Sequence, residues 1–191
     1  MIMQIFTKEE LRDITIAVLV LTFMFAFRPF GLDFANLPTY FLIVLTAFVC
    51  HELAHKFVAM KFHCIAFFKL WPTGVFFALL FMLVGIKFAA LGAVVIYPFR
   101  FGRWGFRRIH LTETESGLIS VAGPLVNLTF ALIFLLAGPS FALVSFVNSW
   151  LFLFNMFPVP PLDGSKILRW NIALWTILFI IGLVLVVPYF L

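Results

Sequence analysis

The chain has 191 residues, of which 64% are hydrophobic and 11% charged, whereas soluble domains carry about a quarter charged residues. A fold of this length cannot hide so much apolar surface from water, so the class is an all-α polytopic membrane protein, a single integral membrane domain over residues 1–191. The net charge of +5 lies beside apolar spans, which fits anionic lipid head groups rather than nucleic acid, and Cys50 and Cys64 give no disulfide framework.

In chain order, residues 14–27 read as a retained first helix ended by Arg28-Pro29. Glu9, Glu10 and Asp13 offset Lys8 and Arg12, which argues against a signal peptide. Pro38 opens a second span that runs to about Met60, with Lys56 and Lys61 near its end as markers of a membrane surface. Residues 62–71 are a short mixed segment. Residues 72–99 are almost wholly apolar, broken by Gly85, Lys87 and Gly92, and read as a hairpin or a re-entrant piece. Residues 100–115 are the most polar segment, with Arg100, Arg103, Arg107 and Arg108. Spans follow at 116–137, 140–157 and 170–190, with a proline-rich loop at 158–166. The expected total is about six transmembrane helices.

Positively charged loops stay in the cytoplasm. With the N-terminus inside, the second helix runs inward and its second half lies toward the cytoplasmic side. The arginine-rich loop is also inside if 72–99 leaves and returns. Asp163 then reaches the cytoplasmic side as well.

His51-Glu52-Leu53-Ala54-His55 falls in that second helix. Ionisable groups at membrane depth are costly and are functional candidates by default. On a helix the two histidines point the same way and can share a Zn²⁺. Glu52, rotated by about 100°, is placed to act as a general base on a water activated by that metal. Catalytic zinc takes three protein ligands and an open position. Asp13 and Asp33 flank the first helix, Asp33 on the outer side; Glu113 and Glu115 lie in a basic loop where ion pairing is the ordinary use; His63 reads as an interfacial residue past the helix end; and His110 sits beside four arginines, which disfavour a cation. Asp163 follows Pro158, Pro160 and Pro161, precedes Gly164, and arrives on the side of the histidines. It is the expected third ligand, against the simpler reading of a helix cap.

Gly117, Ser120, Gly123, Asn127 and Ala131 form one small or polar stripe, and Ser145, Asn148 and Asn155 another. Small residues let membrane helices approach closely. The amides either hold an unfolded substrate backbone or bond one another across helices.

Together the HELAH segment, Ser120-Val121-Ala122-Gly123-Pro124-Leu125-Val126-Asn127 and Asn155-Met156-Phe157-Pro158-Val159-Pro160-Pro161-Leu162-Asp163-Gly164 resemble the three signature segments of the site-2 protease family of intramembrane zinc metalloproteases, in its compact prokaryotic or archaeal form. The resemblance covers roughly residues 38–169. It implies one zinc on His51, His55 and Asp163, with Glu52 as the catalytic carboxylate. It implies that Asn155, and less directly Asn127, contacts substrate or orients the site. The expected substrate is a transmembrane protein cut in or near its span, and the remaining partner is the lipid bilayer. No PDZ or CBS domain is expected in the chain. The rival readings are a zinc transporter and a pseudoprotease. A transporter needs metal groups at several depths, and a pseudoprotease has no use for an intact Glu52.

Overall fold

A computed structural model describes residues 5–28, 31–85, 91–102, 105–108 and 110–190. Pro29, Lys87 and Arg103, used above as markers, lie outside the described residues.

Thr7 begins helix α1 (Lys8–Ala26), its hydroxyl accepting from the Glu10 N–H at 3.1 Å while Glu9 and Glu10 face the positive end of the helix dipole. A two-residue ladder, β1 (Phe27–Arg28) on β2 (Gly31–Leu32), turns the chain. Pro38 then opens a continuous helix, Leu37–Lys61, of 25 residues. It comprises α2 (Leu37–Ile43), a wide π-type stretch at Val44–Val49, and α3 (Cys50–Lys61). It ends where His63 takes a left-handed conformation, φ 62°, and the Cys64 N–H returns to the Ala59 carbonyl.

The all-α expectation needs correction. Residues 62–71 hold a strand, β3 (Ile65–Leu70), and the stretch 72–99 holds helix α4 (Pro72–Leu83) and strand β4 (Gly92–Tyr97). β4 pairs antiparallel with β3, Leu70 opposite Gly92 and Ile65 opposite Tyr97. The 12 residues of α4 extend about 18 Å, short of a hydrocarbon core of about 30 Å. The pairing places Gly92 beside Leu70, so the strands that flank α4 lie next to each other. A further short ladder joins β5 (Phe99–Gly102) to β6 (Gly105–Arg108).

The second half is helical: α5 (Glu113–Leu136), a 3₁₀ turn at Pro139–Phe141, α6 (Ala142–Asn155), α7 (Asp163–Trp170) and α8 (Ile172–Val186) with a final 3₁₀ turn. Thr112 and Glu115 form a reciprocal capping box at the start of α5. Among the described residues three helices are long and apolar enough to cross a membrane: Leu37–Lys61, Glu113–Leu136 and Ile172–Tyr189. Pro72–Leu83 and Pro139–Asn155 are apolar but shorter, and the expected six full spans are not shown.

The distribution of polarity fits a lipid environment. Leu136, Ile177, Ile180 and Val184 are exposed, while Ser120, Asn127, Ser145, Asn148 and Ser149 are buried. Amides and hydroxyls inside with aliphatic groups outside is the arrangement of a membrane bundle, where polar groups must find partners within the protein.

Candidate metal centre

α3 presents His51 and His55 one turn apart on one face, both buried. α5 crosses that face at Gly123. The approach is so close that a Cβ there would lie 2.7 Å from His51 Nε2 and closer still to His55 Nε2. Pro124, which has no N–H, removes one backbone hydrogen bond from α5 without interrupting the helix.

The neighbours of each imidazole dictate where its proton sits. His55 Nδ1 lies 2.8 Å from the Ile119 carbonyl, which only accepts, so Nδ1 carries the hydrogen. His51 Nδ1 lies 2.5 Å from Asn127 Oδ1. The orientation of that amide is fixed, because Asn127 Nδ2 donates to the Ala47 carbonyl at 2.9 Å and to Asn148 Oδ1 at 3.3 Å. Asn148 Nδ2 in turn donates to Thr46 Oγ1 at 3.1 Å and to the Val144 carbonyl. Asn127 Oδ1 must therefore accept, and His51 Nδ1 must donate. Both Nε2 atoms are left as lone-pair donors for a metal, the outer-shell arrangement that fixes the tautomer of ligating histidines.

Asp163 enters from the start of α7. The loop from α6 can close because Gly164 lies against the Met156 and Phe157 carbonyls, where no side chain fits. The carboxylate makes no cap on α7, so the helix-cap reading falls away. Its Oδ2 is 3.1 Å from His55 Nε2 and 3.6 Å from His51 Nε2, and the two nitrogens are 3.0 Å apart.

Zinc bonds of about 2.0–2.1 Å in a tetrahedron give ligand–ligand edges of about 3.3 Å. The triangle of Nε2, Nε2 and Oδ2 matches one tetrahedral face. Three lone-pair atoms at these separations repel one another unless a proton or a metal cation lies among them. Among the described residues, His51, His55 and Asp163 are the group of His, Cys, Asp and Glu side chains whose ligand atoms converge in this way, all within 4.8 Å. Glu52 stays out of that group. Its Oε2 accepts the Val94 N–H of β4 at 2.7 Å.

A protein of Methanocaldococcus jannaschii named "Putative zinc metalloprotease MJ0611" is 35% identical to this chain over 187 residues, 90% of each chain. The chain belongs to this metalloprotease family. "Putative zinc metalloprotease YwhC" of Bacillus subtilis is 31% identical over 163 residues, 70% of this chain and 68% of that one. No family model and no solved structure matches. Zinc is the metal that the metalloprotease family implies, and the triangle has the donor set and the size for it.

The other residues weighed from the sequence have ordinary occupations in this family member. Asp13 accepts the Leu70 N–H at 3.1 Å and pairs with Arg12. Asp33 accepts from Asn36 and Tyr40. Glu115 is committed to the capping box. Asn127 and Asn148 bond each other across helices, the second of the two uses foreseen for these amides. Asn155 donates to the Leu151 carbonyl of its own helix at 3.0 Å. The residues missed are those that act through backbone or at long range: Val94 behind Glu52, Ile119 behind His55, and Thr46 at the end of the amide relay. Only Thr46 left a signal, a hydroxyl one and a half turns before His51 in an apolar span.

Proposed function

We propose that the protein is a multi-pass intramembrane zinc endopeptidase of the site-2 protease type, which hydrolyses a peptide bond in or beside a transmembrane segment of another membrane protein. The observation that carries the reading is the triangle of His51, His55 and Asp163 with a separate buried-side carboxylate, Glu52, on the same helix. A site built only to hold zinc has no use for that fourth group.

When bound, zinc lowers the pKa of a water toward about 7 and polarises the scissile carbonyl. His51 and His55 hold their Nε2 atoms toward the metal because Asn127 and Ile119 hold their Nδ1 hydrogens. Glu52 takes a proton from the attacking water and returns it to the leaving amine. The Val94 N–H keeps one Glu52 oxygen in place during both transfers. A lipid-facing helix has its own backbone hydrogen bonds closed, so the substrate must unwind before it is cut, and helix-breaking residues near the cut favour it. Asn155, one loop before Asp163, is the proposed contact to the unwound backbone. The basic flanks orient the site toward the cytoplasmic half, from which water enters.

The test is cleavage of a panel of single-span reporters in membranes by the wild type and by Glu52→Gln, with zinc content measured for both. The proposal expects cuts by the wild type alone, at equal zinc content. Cuts that survive the substitution remove Glu52 from its role. Zinc binding without any cutting moves the reading to a transporter or a pseudoprotease.

A further inference from the structure

Among the described residues is a fully buried ion pair that the mechanism does not use. Lys56 Nζ meets Glu10 Oε2, and both side chains are 1% exposed. The lysine also lies over the Phe6 ring, 4.2 Å from its centroid. Removing two charges from water costs several kcal/mol per ion even after relaxation, so this pair is an expensive way to join two helices.

Its placement gives the reason. Glu52 and Lys56 are four residues apart on one side of α3, the helix that packs against β3 and β4. Phe68 and Val94 are cross-strand partners in that hairpin. The Val94 N–H points out of one edge and is bound by Glu52 Oε2 at 2.7 Å. The Phe68 N–H points out of the opposite edge and is bound by Glu10 Oε1 at 2.9 Å. A single rung of the ladder is thus held between two carboxylates, and Lys56 neutralises the one remote from the metal. Two pairs further along the ladder, Asp13 accepts the Leu70 N–H on the same strand as Phe68.

We propose that Glu10 and Lys56 are positioning residues for Glu52: they fix the Phe68–Val94 rung, and the rung fixes the carboxylate that moves the proton. This rests on the reading of Glu52 as the general base. A carboxylate displaced by about 1 Å loses about a hundredfold in rate.

The experiment compares two uncharged replacements of the pair in the full chain. Glu10→Gln with Lys56→Met keeps an acceptor for the Phe68 N–H. Glu10→Leu with Lys56→Met removes it. Both avoid an unpaired buried charge, and replacing a buried pair by apolar groups is often neutral or stabilising. The expected result is that both keep wild-type zinc content, and that the Gln–Met form keeps kcat within about threefold of wild type. The Leu–Met form should lose about ten- to a hundredfold in kcat with KM little changed. Amide exchange across residues 92–97 should be faster in the Leu–Met form than in the Gln–Met form. Equal kcat in the two forms, or equal exchange at the hairpin, overturns the proposal. If the wild type cuts no reporter, the protease reading fails separately, and the exchange comparison still decides whether the pair fixes the rung.

Discussion

Replacing Gly123 by alanine adds a methyl group between α5 and the two imidazoles. Built on the present backbone, the new Cβ lies 2.7 Å from His51 Nε2, whereas ordinary van der Waals contact begins near 3.4 Å. The ligand nitrogens or the helix must therefore give by at least about 0.7 Å, while zinc sites hold their distances to about ±0.2 Å. Disturbing groups that merely support a ligand weakens metal binding about 10- to 100-fold; here the ligand atoms themselves are displaced, so a loss of at least about 100-fold in zinc affinity is expected. The same change favours the helix, since alanine is better than glycine there by about 1 kcal/mol, which limits any loss of stability. The assay is chelator competition for zinc alongside thermal unfolding, with Thr129→Ala on the exposed side of α5 as the control. A Gly123→Ala protein that binds one zinc with wild-type affinity would refute the geometry of the centre.

Other expectations follow from the same contacts. Asn127→Ala frees His51 Nδ1 and strips the Ala47 carbonyl and Asn148 of a partner; zinc affinity should fall about 10- to 100-fold and stability by about 1–3 kcal/mol, measured by chelator competition and thermal melts. Chelation should stop cleavage by the wild type and added zinc restore it, whereas Asp163→Ala should hold less than one zinc per chain and stay inactive with zinc in excess. On the loop before α2, hydrogen bonds from Asn36 and Tyr40 hold the Asp33 carboxyl below its ordinary 3.8. A depressed folded-state pKa contributes stability above the unfolded value and loses it as pH falls through the folded one. The difference in thermal midpoint between wild type and Asp33→Asn should accordingly be present above about pH 4 and vanish in stronger acid.

Residue type and spacing carried the metal triangle. His51 and His55 share a helical face by their spacing alone, and Asp163 is marked by the prolines that deliver it and the glycine that lets the loop close. The long helices were legible because their apolar runs are bounded by Pro38, Lys61 and the polar segment before α5. The β3–β4 hairpin was not, because strands are read from alternation between apolar and polar faces. Where Ile65–Leu70 and Gly92–Tyr97 are apolar at nearly every position, that period has no contrast. The ion pair was hidden for a different reason. Lys56 read as a marker of the membrane surface, and nothing local says that its partner is Glu10, 46 residues earlier. Gly123 was read as a packing residue of a small-residue stripe; that it packs on the ligand nitrogens became visible only when α3 and α5 were placed together.

The most direct test of the central claim is to map the bond cut in a single-span substrate reconstituted in lipid with the zinc-loaded protein, by mass spectrometry of the fragments, with Glu52→Gln as the blank. The account predicts cuts inside the span or at its border, absent from the blank. Cuts confined to soluble tails, or made equally well in soluble peptides, would contradict it.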